Sequence, residues 1–391
     1  MPFSKDIPGL YIHIPFCVQR CHYCDFYSIR TSLFDKESDA YQLFIDSLHR
    51  EIELYRHELQ NNRFSSLYIG GGTPSILPPK LFSSLCDRLF QSFSFTDDLE
   101  FTVEANPESI DKDKLFSYKN WGVNRVSFGA QTFNNSILKA IGRLTTADEV
   151  ITKFHLLRDT GFDNINLDLI SGLVNQSYED YTSDLDKATE LAPDHLSCYS
   201  LIQGKAILQS RIENGSLILP QEETARQELI LTHKHLTNHN YDHYEVSNYA
   251  RPGKSCRHNL VYWTQKDYLG LGPSASGALF GTRYTNTASL KHYATLLRDN
   301  KKPISSTENL DPIKRRTELI MLSLRTKRGL DLSALKNLSQ AIDPTDSSWY
   351  NSFQNKAGDY IRLGLLTESR DHLSATLDGL LILDSVISGL I

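Results

Sequence analysis

The sequence predicts an α/β protein, a partial (β/α)6 barrel followed by a small helical, winged-helix-like C-terminal domain. Three observations predict it. Short apolar runs alternate with longer amphipathic stretches six times before about residue 250. Each parallel return between strands needs a crossover, usually a helix. Right-handed crossovers repeated that often curl a sheet toward a TIM-like barrel. An open doubly wound sheet is the competing architecture.

The first run is LYIHI (10–14), followed by a cysteine-rich loop and then by YQLFIDSLHREIELYRHEL, whose apolar positions recur every three to four residues. SLYIG (66–70) is the second strand, with PKLFSSLCDRLFQSF as its helix. LEFTVEA is followed by a helix near 110–120, RVSFGAQ by TADEVITKFHLLRDTG, NINLDLISGL by YEDYTSDLDKATELA, and HLSCYSLI by QEETARQELILTHKHLTNH. Residues 1–240 are therefore expected to form the core barrel. Residues 241–305, aromatic and rich in Gly, break the rhythm and are expected to be strands and loops that close it. After KKPISS the helical period returns, and LLTESRDHLSATLDGLLILD carries a hairpin signal, which gives the winged-helix-like domain over 306–391.

A chain of 391 residues has room for two or three domains at roughly 100 to 200 residues each. Its 40% hydrophobic and 23% charged residues exclude collagenous, disordered and membrane-spanning classes. The longest apolar stretch, GLLILDSVISGLI, is interrupted by Asp384 well short of the ~20 residues a bilayer requires, so no membrane span is expected. The N-terminus lacks a continuous apolar core with a small-residue cleavage site, which makes a cytoplasmic location the expectation. A net charge of -6 gives no electrostatic case for nucleic acid. Three of six cysteines crowd into Cys17, Cys21 and Cys24, a distribution that suits a metal site in a reducing compartment.

In IPFCVQRCHYCDF these thiols are spaced C-x3-C-x2-C with no fourth cysteine nearby. Structural zinc takes four ligands and iron-sulfur clusters usually take four cysteines, so one coordination position is left to something else. A zinc knuckle completed by His13 or His22, three unligated structural cysteines, and a cubane cluster with one open iron all remain. The loop follows the first strand, at the barrel end where parallel barrels place their chemistry. The second strand runs into GGGTPS (70–75), where successive glycines let backbone approach a ligand. Glu104, Gln131 and Asp168 stand at strand ends in otherwise apolar runs, where an unpaired carboxylate is costly. With Arg143 they would ring the barrel mouth with groups suited to ribose hydroxyls, an amino-acid carboxylate and propionates. His233, His235, His239 and His243 lack the i, i+4 pair joined to a carboxylate that helical zinc sites use, and read as a solvated helix face.

On these residues the chain resembles the radical S-adenosylmethionine (SAM) proteins, and over nearly its whole length their HemN/HemW branch, most closely the haem-chaperone type. YIHIPFCVQRCHYCDF, YIGGGTPS, VEANPES, NRVSFGAQTF, LDLISGL, YEVSNYARPG, CRHNLVYW and YLGLGPSA carry the resemblance. It implies a partial radical SAM barrel, a [4Fe-4S] cluster held by Cys17, Cys21 and Cys24, and SAM chelating the fourth iron. Tyr11, Gly71, Gly72, Thr73, Glu104, Gln131, Arg143 and Asp168 match residues that contact SAM in this branch, and Tyr23 matches an aromatic that packs on the adenine.

The other member of the branch, the oxygen-independent coproporphyrinogen III dehydrogenase, has a fourth cysteine two residues after the third; here that position is Phe26. HNLVYW resembles the chaperones' HN-x-x-YW block, which implies haem as cargo. His258 is its expected axial ligand, Cys256 the alternative, and Arg257 a partner for a propionate. A haem-accepting protein and an electron donor are the implied partners. The chain departs from the branch in GLGPSASG, with Ser274 and Ser276 where a glycine and a histidine are expected, and in YSLIQGKAIL, which lacks a glutamate and a Gly-Thr. The expected function is thus haem binding and delivery in porphyrin metabolism. Oxidative decarboxylation of coproporphyrinogen III by a 5'-deoxyadenosyl radical is the enzymatic alternative, and a zinc-stabilised regulatory protein is the non-redox one.

Overall fold

A computed structural model describes residues 7–34, 36–201, 212–215, 217–219, 221–343 and 348–391. Six strands follow the predicted runs: β1 (Gly9–Ile14), β2 (Arg63–Gly71), β3 (Ser94–Ala105), β4 (Arg125–Gln131), β5 (Ile165–Ser171) and β6 (His195–Ser200). They lie side by side in chain order, and every neighbouring pair is parallel. Each is followed by a crossover helix: α1 (Glu37–Arg56), α2 (Pro79–Ser92), α3 (Lys112–Asn120), α4 (Ala147–Asp159), α5 (Tyr178–Glu190) and α6 (Glu222–Asn238). Two starts are fixed by reciprocal caps, Thr146 with Glu149 on α4 and Ser177 with Asp180 on α5.

The outward face of each strand is apolar because the crossover helices cover it. Leu10, Ile12, Leu67, Ile69, Phe101, Val103, Val126, Phe128, Leu167 and Leu169 are fully buried in one core. Tyr11, Tyr68, Glu104 and Asp168, on the opposite face of their strands, stay half-buried. The period-two alternation therefore separates core from a partly accessible interior.

Residues 241–309 add strands at both edges without closing the sheet. β7 (Asp242–Glu245) and β8 (Asn248–Ala250) form a hairpin against β6, while β9 (Tyr268–Leu271) runs parallel to β1 and carries β10 (Ser276–Leu279), β11 (Thr282–Asn286) and β12 (Ile304–Asn309) outward. The barrel is partial, as the sequence predicts, and open: the strands of 241–305 extend its edges instead of closing it. Its two ends, β7 and β12, do not pair among the described residues, because each terminates in an antiparallel hairpin that leads the chain away.

A helix of the C-terminal part spans this gap. α8 (Pro312–Ser323) makes the Glu318–Arg283 ion pair (2.9 Å) to β11, and the turn after it bonds β7's end through Val246 N to Arg325 O (2.8 Å) and Lys327 N to Tyr244 O (3.0 Å). α9 (Leu332–Ile342), α10 (Ser348–Arg362) and a three-stranded sheet with His372–Ala375 in its middle complete the winged-helix arrangement around a second apolar cluster, which includes Ile320, Leu335, Phe353 and Leu373. No described helix is long and apolar enough to cross a membrane.

Candidate functional site

The cysteine loop leaves the end of β1 and is held from two sides. Gly72 N donates to Ile14 O and Thr73 N to Phe16 O, both at 2.8 Å, and Thr73 Oγ1 donates to Cys17 Sγ at 3.4 Å. A Cβ on Gly72 would stand 2.6 Å from Phe16 O and 3.0 Å from Cys17 Sγ. Gly71 has φ +116°, and its Cβ would meet the His13 ring at 2.8 Å. The glycines thus serve first to bring the end of β2 against the thiol loop. On the far side, His22 N donates to Ile141 O (2.9 Å), His22 Nδ1 bonds Ala140 O (3.0 Å) and Gln19 Nε2 donates to Gly142 O (3.0 Å).

None of the three thiols is in a disulfide. Burial pushes Cys17 and Cys24 above the ordinary thiol pKa, and the neighbouring Cys21 adds to the rise at both. Such thiols become thiolates when a cationic centre holds them. The donor set fits an iron-sulfur cluster with one iron left to another ligand. Of the two histidines that could complete a zinc knuckle, His13 is already committed. His13 uses Nδ1 on Tyr11 OH and Nε2 on Tyr27 O, both at 2.9 Å, and among the described residues no three His, Cys, Asp or Glu are gathered around a point that one ion could fill.

The expected SAM contacts lie on the interior faces of β1 to β5 and the loops after them. Glu104 accepts from Tyr68 OH and from Gly71 N, each at 2.9 Å. Burial, with Asp168 adding to it, raises its carboxyl to about 7 against the lowering effect of those bonds. A ligand ammonium would relieve that penalty. Asp168 accepts from Asn166 Nδ2 (2.7 Å) and Ser127 Oγ (3.5 Å), and burial raises its pKa as well. Gln131 sits beyond a register shift in β4 at φ +71°, a left-handed conformation uncommon for a residue other than glycine and frequent at ligand clamps.

Arg143 is buried beside Cys21 and Tyr23. Its Nη1 donates to Asn106 Oδ1 (3.0 Å) and its Nη2 to Gly129 O (3.0 Å), while Nε has no partner among the described residues. Burial disfavours its charge, but Tyr23, Glu108 and Cys21 outweigh that and hold it cationic. Nη2 also pairs with Glu108 at 3.4 Å, and a buried cation beside Cys21 fits a ligand carboxylate. Tyr23 packs on the cluster of Ile137, Ile141 and Leu173.

A cavity of about 280 Å³ opens next to the loop, with Tyr11, His13 and Asp25–Tyr27 on one wall and Tyr262, Tyr268, Ser274 and Ser276 on the other. The two serines that depart from the branch pattern therefore face the loop. The departure in YSLIQGKAIL falls mostly on 202–211, outside the described residues.

His258 does not reach this cavity. It lies in the first turn of α7 (Arg257–Trp263), whose first N–H groups are capped by Glu100 at 2.9 Å, and this places the imidazole inside the fold. Nδ1 bonds Ser66 Oγ (2.9 Å) and Nε2 bonds Tyr262 OH (2.7 Å), so in this arrangement neither nitrogen is open to iron. Burial, with the Arg125 charge, lowers its pKa to about 3. Cys256 is fully buried against Glu100, and Arg257 is paired with Asp98 at 2.6 Å. The histidines near 233–243 form no centre. His233 and His243 bond each other at 3.0 Å, and His235 stacks on His239.

Sequence reasoning missed Tyr68, Asn106, Ser127 and Asn166, which hold Glu104, Arg143 and Asp168. Asn166 was findable, since period two puts it on the face of Asp168. Asn106 bonds Arg143 between two loops and Ser127 bonds Asp168 across strands, for which the sequence carries no local signal.

Residues 11–188 match the family model of the Radical SAM superfamily and residues 310–382 that of the HemN C-terminal domain. A Bacillus subtilis (strain 168) protein named Heme chaperone HemW is 35% identical over 324 residues, 82% of this chain and 84% of that one. A protein of the same name from Mycobacterium tuberculosis (strain H37Rv) is 31% identical over 98% of this chain and 94% of its own, and one from Escherichia coli (strain K12) is 37% identical over 69% of each. The solved structure of Escherichia coli coproporphyrinogen III oxidase (HemN) superposes with a TM-score of 0.85 at 24% identity, covering 99% of this chain and 91% of that one, so the two share a fold. With the family model spanning the thiol loop and one relative matching nearly the whole chain, the protein belongs to the radical SAM superfamily, among the proteins named Heme chaperone HemW.

Proposed function

We propose that this protein is a haem chaperone that carries a [4Fe-4S] cluster and SAM, binds haem as cargo and delivers it to a recipient protein in the cytoplasm. The observation that carries the reading is the three-thiol loop clasped against the glycine edge, with Phe26, 62% exposed, at the position where the enzymes of the branch place a fourth cysteine. When bound, the cluster supplies an iron with an open position and the capacity to pass an electron. Cys17, Cys21 and Cys24 hold it. The Gly71, Gly72 and Thr73 edge, with Glu104 bonded to Gly71 N, receives the amino group of SAM, Arg143 its carboxylate, and Asp168 and Gln131 its ribose, while Tyr11 and Tyr23 shape the walls. Residues 1–240 supply this core, 241–305 the second wall of the cavity, and 306–391 a surface over the open side of the barrel.

Haem titration and coproporphyrinogen III turnover, run side by side on anaerobically reconstituted protein with SAM and a reductant, test the proposal. Stoichiometric haem uptake and transfer to an apoprotein without turnover is the expected result. Porphyrinogen decarboxylation at enzyme-like rates would replace the chaperone with the dehydrogenase.

A further inference from the structure

The hydrogen bonds behind the glycine edge run in one direction, and they end on a cysteine sulfur. Arg143 can only donate, so its Nη1 fixes Oδ1 of Asn106 toward itself (3.0 Å) and turns the amide nitrogen the other way. Asn106 Nδ2 donates to Thr73 Oγ1 at 3.1 Å, and the Thr73 hydroxyl keeps its own proton for Cys17 Sγ at 3.4 Å. Both middle members are pinned through their main chains. Thr73 N donates to Phe16 O (2.8 Å) and Asn106 N to Ser75 Oγ (3.2 Å), while Lys114 ties the two turns together through Ser75 O (2.8 Å) and Ser109 O (2.7 Å). A Cβ on Gly129 would stand 2.8 Å from Asn106 Oδ1, so the glycine leaves the amide its room. Arg143, Thr73 and Cys17 are buried, where consecutive hydrogen bonds polarise one another.

Resting on the [4Fe-4S] reading, we propose that Asn106 and Thr73 are positioning residues that set the reduction potential of the cluster, by aiming a hydrogen bond at the sulfur of Cys17. Hydrogen bonds to ligating sulfurs are one of the levers on such potentials, and the partners that orient them act from outside the ligand set. One-electron reduction by an external low-potential donor adds negative charge, which the cysteine sulfurs share. A hydroxyl proton facing one of them stabilises the reduced form more than the oxidised form and so raises the potential. Ser28 hydrogen-bonds the same sulfur, so loss of the Thr73 bond is a partial change. Asn106 decides where the Thr73 proton goes. Its amide donates to Thr73, whereas a carboxylate in its place would accept the hydroxyl proton and draw it off the sulfur.

The test is a redox titration of the full reconstituted chain without SAM, followed by electron paramagnetic resonance, with iron and sulfide content as the control for cluster assembly. In Thr73→Val the ratio of reduced to oxidised cluster at a fixed ambient potential should fall about three- to tenfold, a shift of about 30–60 mV to lower potential for a one-electron couple. Thr73→Ser keeps the hydroxyl and should stay at the wild-type potential. Asn106→Asp, which keeps the size of the side chain and all of Thr73, should fall at least as far as Thr73→Val. The double variant should fall by less than the sum of the two, because both changes remove the same hydrogen bond. A wild-type potential in Thr73→Val, or strictly additive shifts, overturns the assignment and leaves the cluster reading in place. If Thr73→Val does not retain its iron, Asn106→Asp decides alone, and a wild-type potential there overturns the assignment. Wild-type protein that takes up no iron and sulfide overturns both.

Discussion

Gly72→Ala is the perturbation whose outcome the structure specifies most sharply. The new Cβ would stand 2.6 Å from Phe16 O, 3.0 Å from Cys17 Sγ and 3.1 Å from Ile14 O. Two of these are backbone oxygens that cannot rotate away, so the thiol loop itself has to move. Overpacking of this kind costs about 1–3 kcal/mol, which at about 1.4 kcal/mol per decade corresponds to a roughly 5- to 150-fold loss in cluster affinity. Gly161→Ala is the control. Its φ is +85° but nothing lies within 4 Å of the added Cβ, so it pays only the left-handed backbone cost of about 1–2 kcal/mol. Both variants should melt below wild type. Iron and sulfide per chain after reconstitution should fall in Gly72→Ala and stay at the wild-type level in Gly161→Ala. A Gly72→Ala protein that takes up a full cluster and binds SAM like wild type would refute the role given to the glycine edge.

Two further outcomes follow from buried carboxyls. Glu104 has its pKa raised to about 7, so it gains charge as pH rises through that value; SAM affinity should climb about tenfold between about pH 6 and about pH 8, and Glu104→Gln should flatten the dependence and weaken binding, as measured by calorimetry on the cluster-loaded protein. Glu51 is fully buried on α1, where Gly272 N (2.8 Å), Asn286 Nδ2 (2.6 Å) and Tyr293 OH (2.5 Å) donate to it, yet burial still raises it to about 7. Its stabilising protonation is complete below the unfolded value and lost as pH rises through 7, a contribution of at most about 3–4 kcal/mol. Denaturant midpoints should therefore fall between about pH 5 and about pH 8 in wild type, and the fall should shrink in Glu51→Gln; an equal fall in both would remove Glu51 as its source.

The parallel half of the fold was legible because each strand is an apolar run and each crossover carries helical periodicity; RVSFGAQ coincides with β4 residue for residue. What happens at the sheet edges was not. β9 inserts beside β1 from more than 250 residues away, and the choice between closing a barrel and extending an open sheet depends on pairings of that range. The thiol loop was legible from spacing, and the residues around it from their polar character inside apolar strands. The setting of His258 was hidden: a histidine in an aromatic segment looks like a ligand until Glu100, Ser66 and Tyr262, contributed by three separate segments, are seen to enclose it.

The account rests on an iron-sulfur cluster whose open iron is capped by SAM. Electron paramagnetic resonance of the reduced, reconstituted protein with and without SAM tests this most directly. A [4Fe-4S] signal whose shape changes on adding SAM, and which stays unchanged on adding SAM to Glu104→Gln at the same concentration, is the predicted result. A cluster signal indifferent to SAM in the wild-type protein, or stoichiometric zinc with no sulfide, would contradict it.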